Sequence, residues 1–170
     1  MGFKKVPAEQ LDENFIRDIG SEWMLVTAGD RDGYNMMTAS WGFAGVMWGF
    51  PCAITAIRPQ RYTMEFLEKG KYFTLSFYGE NKKLHAVCGK QSGRDIDKTA
   101  ATGLTPVFDD ETGAPYFEQA RLVLVCEKVY AQSLNPENFL DGQIPKYVYP
   151  GGDYHKMFYG KILSVLQKED

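Results

Sequence analysis

Histidine is nearly missing from this sequence. His85 and His155 are the two in 170 residues, so a multi-histidine metal centre cannot be assembled from this chain alone. Cysteine is scarce as well: Cys52, Cys88 and Cys126 are odd in number and far apart. They form no CxxC pair and no zinc spacing, and they read as reduced, buried thiols. Positive charge is not in excess. A formal net charge of -3 argues against a nucleic-acid partner bound by phosphate neutralisation. No apolar run is long enough to cross a bilayer. The opening "MGFKKVPAEQ" lacks the hydrophobic core of a signal peptide, and Val6 stands where myristoylation wants Ser or Thr. The expectation is a cytoplasmic protein with no membrane or nucleic-acid partner. The fingerprints GxGxxG, GxxxxGK, GxSxG and HExxH are also missing, and no serine sits in a nucleophile elbow.

What the chain does have is aromatic residues, at 14%, and a length that fits one domain over 1–170. The hydrophobic pattern predicts strands at "EWMLVTAGD", "YNMMTASW", "CAITAIR", "KYFTLSF", "LTPVFD", "RLVLVCEKVYAQS" and "MFYGKILSVLQ". A lead-in helix is expected within 8–20. A second helix opens at Pro59 and closes at Gly70, a third covers "ENKKLHAVCGK", and Asp95 caps a short one at 96–102. "IPKYVYPGGDYHK" reads as a loop broken by Gly and Pro. Strands dominate and do not alternate regularly with helices, which predicts a mainly β antiparallel barrel with short helical insertions.

Several segments carry an inventory suited to an anion and a flat ring. "IRPQRYT" sets Arg58 at a strand end and Arg61, Tyr62 and Thr63 in the first turn of a helix, whose free N–H groups suit a phosphate. The same residues read equally well as a plain strand-to-helix junction. In "GKQSGRD", Ser92, Gly93 and Arg94 form either an anion-binding nest or an ordinary turn. In "YNMMTASWGFAGVMWGFP", glycines and large aromatics crowd together. Thr38 and Ser40 face one side of the strand, Ala39 and Trp41 the other. That is a wall for a planar ligand or a core strand with an aromatic corner. Tyr154 and His155 follow two glycines and either close over a site or only finish a loop.

Taken in order, "NMMTASW" with "WGFP", "IRPQRYT", "CGKQSGRDIDK" with "TGLTP", and "DYHKMFYGKILSVL" resemble the flavin reductase-like family, the FMN-binding split-barrel proteins that include flavoredoxin. The resemblance spans about residues 20–167. It implies a six-stranded antiparallel split barrel, a homodimer, and FMN near the dimer interface. It further implies that Met37, Thr38, Ala39, Ser40 and Trp41 line the isoalloxazine, largely through their backbone. Arg58, Tyr62 and Thr63 would hold the phosphate. Ser92, Gly93 and Arg94 would form a further part of the cofactor site, with Lys98 as a supplement. The residues themselves offer Tyr154 and His155 as a substrate contact or lid. No metal and no catalytic side chain is expected, because a flavin brings its own redox chemistry at N5. The implied function is an FMN-dependent oxidoreductase that takes electrons from NAD(P)H or a redox protein partner. An electron carrier without nicotinamide activity and a ligand-binding barrel are the alternatives. Cys88 reads as a packing group rather than a redox thiol, which would need a lowered pKa and access to the ring.

Overall fold

The computed structural model describes residues 2–169. Eight strands form one antiparallel sheet: β1 (Phe3–Val6), β2 (Met24–Asp30), β3 (Gly33–Ala39), β4 (Gly42–Met47), β5 (Phe50–Ile57), β6 (Tyr72–Phe77), β9 (Leu122–Ser133) and β10 (Lys156–Lys168). β7 (Pro106–Phe108) and β8 (Pro115–Phe117) make a separate hairpin. The helices are short: α1 (Phe15–Arg17, running into a wider turn to Glu22), α2 (Thr63–Lys69), α3 (Lys82–Lys90), α4 (Lys98–Thr102) and α5 (Gln143–Val148). The chain is thus mainly β, as expected. β1 and β4 bring the six strands implied by the resemblance to eight.

The sheet order is β3-β2-β6-β9-β10-β5-β4. β10 explains why the barrel splits. It pairs with β9 along nearly its whole length. On its other edge, residues 156–161 hold β5 while residues 165–168 hold β1. One long strand therefore serves two different neighbours on one edge. A register irregularity at Tyr159/Gly160 bends it. Gly160 is required there, since a Cβ would stand 2.5 Å from Phe73 Cζ and 2.6 Å from Cys126 Cβ.

The interior holds Val26, Phe73, Leu75, Phe77, Leu124 and Phe158, among others, all nearly inaccessible. Burial of these side chains is the main stabilising force. In β6, Phe73, Leu75 and Phe77 point one way and Tyr72, Thr74 and Ser76 the other, and Thr74 and Ser76 are buried as well. The β7–β8 hairpin covers that face, and the Thr74 hydroxyl donates to Pro115 O at 2.6 Å. A smaller cluster of Leu25, Met36, Leu84 and Cys88 fastens α3 to β2 and β3. This cluster fixes the position of α3 against the candidate site.

Three further expectations are corrected. α2 begins at Thr63 rather than at Pro59, because residues 58–61 form a turn closed by Arg61 N donating to Arg58 O at 3.1 Å. α4 is capped by Asp97, not Asp95: its carboxylate accepts from Ala100 N at 3.0 Å. The segment expected as an open loop contains α5.

Candidate functional site

The site forms where β3, the start of α2, and the C-terminal end of α3 with the turn after it meet. Asn35 of β3 donates to the Thr63 hydroxyl at 2.7 Å and ties the strand to α2. Gly93 lies over that pair. A Cβ there would come within 2.0 Å of Asn35 Oδ1 and 3.1 Å of Tyr62 Cδ1. The turn can therefore lie flat on the strand only with glycine at this position. Gly93→Val is expected to lift the turn and to weaken binding of the FMN that the sequence resemblance implies at least about tenfold, since overpacking of this kind costs ~1–3 kcal/mol. Flavin titration beside a thermal melt checks it.

Beneath the turn is a polar cleft of about 160 Å³, lined by Asn35, Arg61, Thr63, Ser92 and Lys98 among others. Two of the three cationic residues that line it, Lys98 and Arg61, bind one carbonyl. Lys98 is only 4% exposed, and its Nζ donates to Met36 O at 2.9 Å and Cys88 O at 3.0 Å. Arg61 donates to the same Cys88 carbonyl at 3.2 Å. These bonds satisfy the Cys88 carbonyl near the end of α3 and the Met36 carbonyl of β3. They leave two positive charges together. Among the described residues, neither side chain has a carboxylate within ion-pair distance. Burial, and secondarily the Arg61 charge, lowers the Lys98 pKa to about 8. Desolvation lowers Arg61 too. A buried cation beside a half-buried one, with no anion between them, is costly, and an incoming phosphate would relieve it.

The sequence-predicted residues divide at this point. Tyr62, Thr63, Ser92, Gly93 and Lys98 come together. Arg94 lies on the outside, over the Tyr62 ring at 4.6 Å and paired with Glu65 at 2.5 Å. Arg58 is engaged elsewhere: it pairs with Asp153 at 2.5 Å and donates to Val148 O at 3.1 Å. It props the segment after α5. Arg61, one turn further on, is the guanidinium that reaches the polar cleft.

Along β3 the groove continues into a second cleft of about 420 Å³, which shares Gly89 and Lys90 with the first. Thr38, Ser40, Trp23 and His85 line it. Met37 and Ala39 point the other way, into the interior. A bulky residue at Ala39 would therefore disturb the core rather than block the groove directly. The Thr38 hydroxyl donates to His85 O at 3.0 Å and lies 3.1 Å from His85 Nδ1. Gly89 passes close to it, leaving 3.4 Å between Thr38 Cβ and the place of a Cβ. From Asn35 to Ser40 the strand spans roughly 17 Å at ~3.3 Å per residue, so one elongated ligand would touch both clefts.

A third cleft of 530 Å³ opens beyond Ser40 and Trp41. Trp41 is half exposed and packs on His155 with 4.9 Å between ring centres. His155 is buried, with Nδ1 2.7 Å from the Tyr149 hydroxyl. Tyr154 stacks on Tyr149 at 4.7 Å. Tyr154 and His155 thus belong to a packed aromatic block.

Burial, reinforced by nearby cations, pushes both histidines down to about 4 from an ordinary 6.5. The unfolded chain binds more protons than the folded one between these values. Stability is therefore present above pH 6.5 and lost as pH falls towards 4. Acid melts should show this loss, reduced in His85→Gln. Cys88 is fully buried and its thiol is pushed up to about 11, chiefly by burial. That suits packing and not redox chemistry.

The groove has a buried cationic end, a hydroxyl-lined middle and a flat aromatic end. It fits an elongated ligand that is anionic at one tip and planar at the other. The fold is an antiparallel split barrel, and the groove runs along its β3 edge. Residues 16–170 match the family description "Flavin reductase like domain", and the chain belongs to that family. Its fold is shared by a flavoredoxin from Methanosarcina acetivorans, with 19% identity, 95% of this chain and 77% of that chain covered, and a TM-score of 0.69. An FMN-binding protein from Thermus thermophilus with bound p-hydroxybenzaldehyde is 24% identical, with coverage of 98% and 82% and a TM-score of 0.68. An NADH:FAD oxidoreductase of Streptomyces globisporus C-1027 is 19% identical, with coverage of 96% and 89% and a TM-score of 0.65. A search of curated proteins finds no match. Family membership supports a flavin-linked redox role. Among the described residues, no helix is long and apolar enough to cross a membrane.

Proposed function

We propose that the protein binds FMN and passes electrons from NAD(P)H through it to an acceptor. The observation that carries this reading is the pairing of buried Lys98 with half-buried Arg61, which faces a hydroxyl-lined cleft without a carboxylate partner among the described residues. The Thr63 and Ser92 hydroxyls would share the phosphate with these cations. The small size of this cleft, bounded by Tyr62, favours a terminal phosphate and hence FMN over FAD. Thr38 and Ser40 would face the ribityl chain and ring. The flavin supplies the hydride and electron chemistry when bound. The chain's own residues bind the phosphate, fix the ring plane and exclude water.

Lys82 and Lys90 on the rim of the second cleft favour a nicotinamide donor, since they offer cations to a dinucleotide's diphosphate. A second reading, an electron carrier served by a redox protein, is favoured by the uncharged wall of the third cleft. We also propose a homodimer contact on the exposed apolar surface formed by the end of β4, the turn after it, β9 and β10, where Val46, Trp48, Tyr130 and Leu163 face solvent. The free, buried cysteines accord with a cytoplasmic setting.

The visible spectrum tests the reading. After incubation with FMN the protein should hold the flavin through gel filtration. Anaerobic NADH or NADPH should then bleach it. Retained colour with neither donor bleaching would move the function to electron carriage. Protein that stays colourless would end the FMN reading.

A further inference from the structure

The third cleft raises a question that the flavin groove does not answer. It meets that groove at Ser40, which lines both. Its floor is buried: Ile19 is 4% exposed and Ala56 is 7%. Phe15, Trp41, Phe43 and Met157 supply much of the wall, and no charged side chain lines it. At 530 Å³ it has the volume of a small-molecule pocket and is larger than the polar cleft by more than threefold. The Ser40 hydroxyl lies at the junction and donates to no other group among the described residues.

We propose that this cleft is the subsite for an uncharged, apolar ring compound that accepts electrons beside the flavin. The proposal rests on the flavin reading for its redox part, but not for its binding part. The argument is one of charge. Free FMN, a nicotinamide dinucleotide and a metal chelate carry net charge, and each would have to leave water with no counter-ion in this wall. A neutral ring gives up little hydration and covers the exposed faces of Trp41 and Phe43. Ser40 provides one hydrogen bond to a carbonyl and so sets the ring's direction. A quinone meets these requirements. It takes two electrons from reduced flavin and two protons, becoming the hydroquinone while the flavin returns to its oxidised form. The floor is recessed, whereas Val46 near the end of β4 and Trp48 in the turn after it project to solvent. The recess therefore suits a ligand, and the projecting side suits a second subunit.

The test uses the flavin-free chain first, so that binding is read apart from any flavin chemistry. Naphthoquinone and its sulfonated analogue are titrated by calorimetry. The neutral compound is expected to bind at least about tenfold more tightly. Ala44→Leu, which fills the cleft wall, is expected to remove that binding while FMN affinity is unchanged. Equal affinity for the two compounds, or no heat from the neutral one, overturns the proposal. So does an Ala44→Leu variant that keeps quinone affinity and instead dissociates a dimer, because the cleft would then be a subunit contact. With FMN bound, pre-reduced protein should turn over naphthoquinone faster than the sulfonate. Loss of FMN binding with quinone binding intact would sink the flavin reading alone.

Discussion

Lys98→Met should weaken FMN binding by about a hundredfold, or roughly 2.7 kcal/mol. The flavin-free protein should melt within about 1 kcal/mol of the parent, because two opposing effects meet there. The variant loses hydrogen bonds to Met36 O and Cys88 O. It also loses a buried charge that stands beside Arg61 without a compensating anion. Flavin affinity gains nothing from the second effect. A pH series gives an independent check. With its folded pKa at about 8 against 10.5 in the unfolded chain, Lys98 binds fewer protons when folded. Its penalty on the flavin-free fold is present below pH 8 and is relieved as pH rises towards 10.5. FMN affinity should move the opposite way. It should fall by up to about one decade per pH unit above 8, because the phosphate prefers the ammonium. Titrations across this range should show the two opposed trends in the parent and neither in Lys98→Met. Parallel trends would mean that Lys98 only braces α3.

Gly160→Val should cost about 3 kcal/mol or more of stability, among the larger losses for a single change. Gly160 sits at the bend of β10, with Phe73 and Cys126 pressed to 2.5 and 2.6 Å of the place a Cβ would take. Both neighbours are fully buried, so neither has space to retreat. The strand would have to straighten, and its pairing with β5 would then shift register. Urea denaturation should show a lower midpoint with little change in slope. An unchanged midpoint would mean that β10 bends without needing the glycine.

The strands that carry the interior were readable because their apolar residues recur along buried segments. β4 was not. It is an edge strand with Phe43, Gly45, Val46 and Met47 exposed, so it lacks the alternation that marks a half-buried strand. β1 was missed because two of its four residues are exposed lysines. Asp95, the expected cap of α4, and Asp97, the cap in the structure, look alike in sequence. The choice depends on the turn closed by Asp95 N and Ser92 O at 3.1 Å.

The site was legible as a set of segments but not as a set of contacts. Arg58 and Arg61 are both plausible from spacing, and what separates them is Asp153, 95 residues from Arg58 in the chain. Asn35 carried no signal, being one polar residue in a strand. Its importance comes from Thr63 and Gly93, which only the fold brings to it. His85 was readable as part of a helix but not as the partner of Thr38. Lys98 was named only as a supplement, yet its burial makes it the centre of the charged end.

The three tryptophans are spread over the three regions that matter. Trp23 lines the second cleft, Trp41 the apolar one, and Trp48 stands on the exposed side of β4 near Tyr130 and Tyr159. The protein thus carries its own optical gauge. Keeping one indole at a time, with phenylalanine at the other two positions, would give emission that reports separately on the proposed cofactor, on the proposed neighbouring ligand or on the proposed second copy of the chain. The order in which those three events occur on mixing could then be timed by light alone.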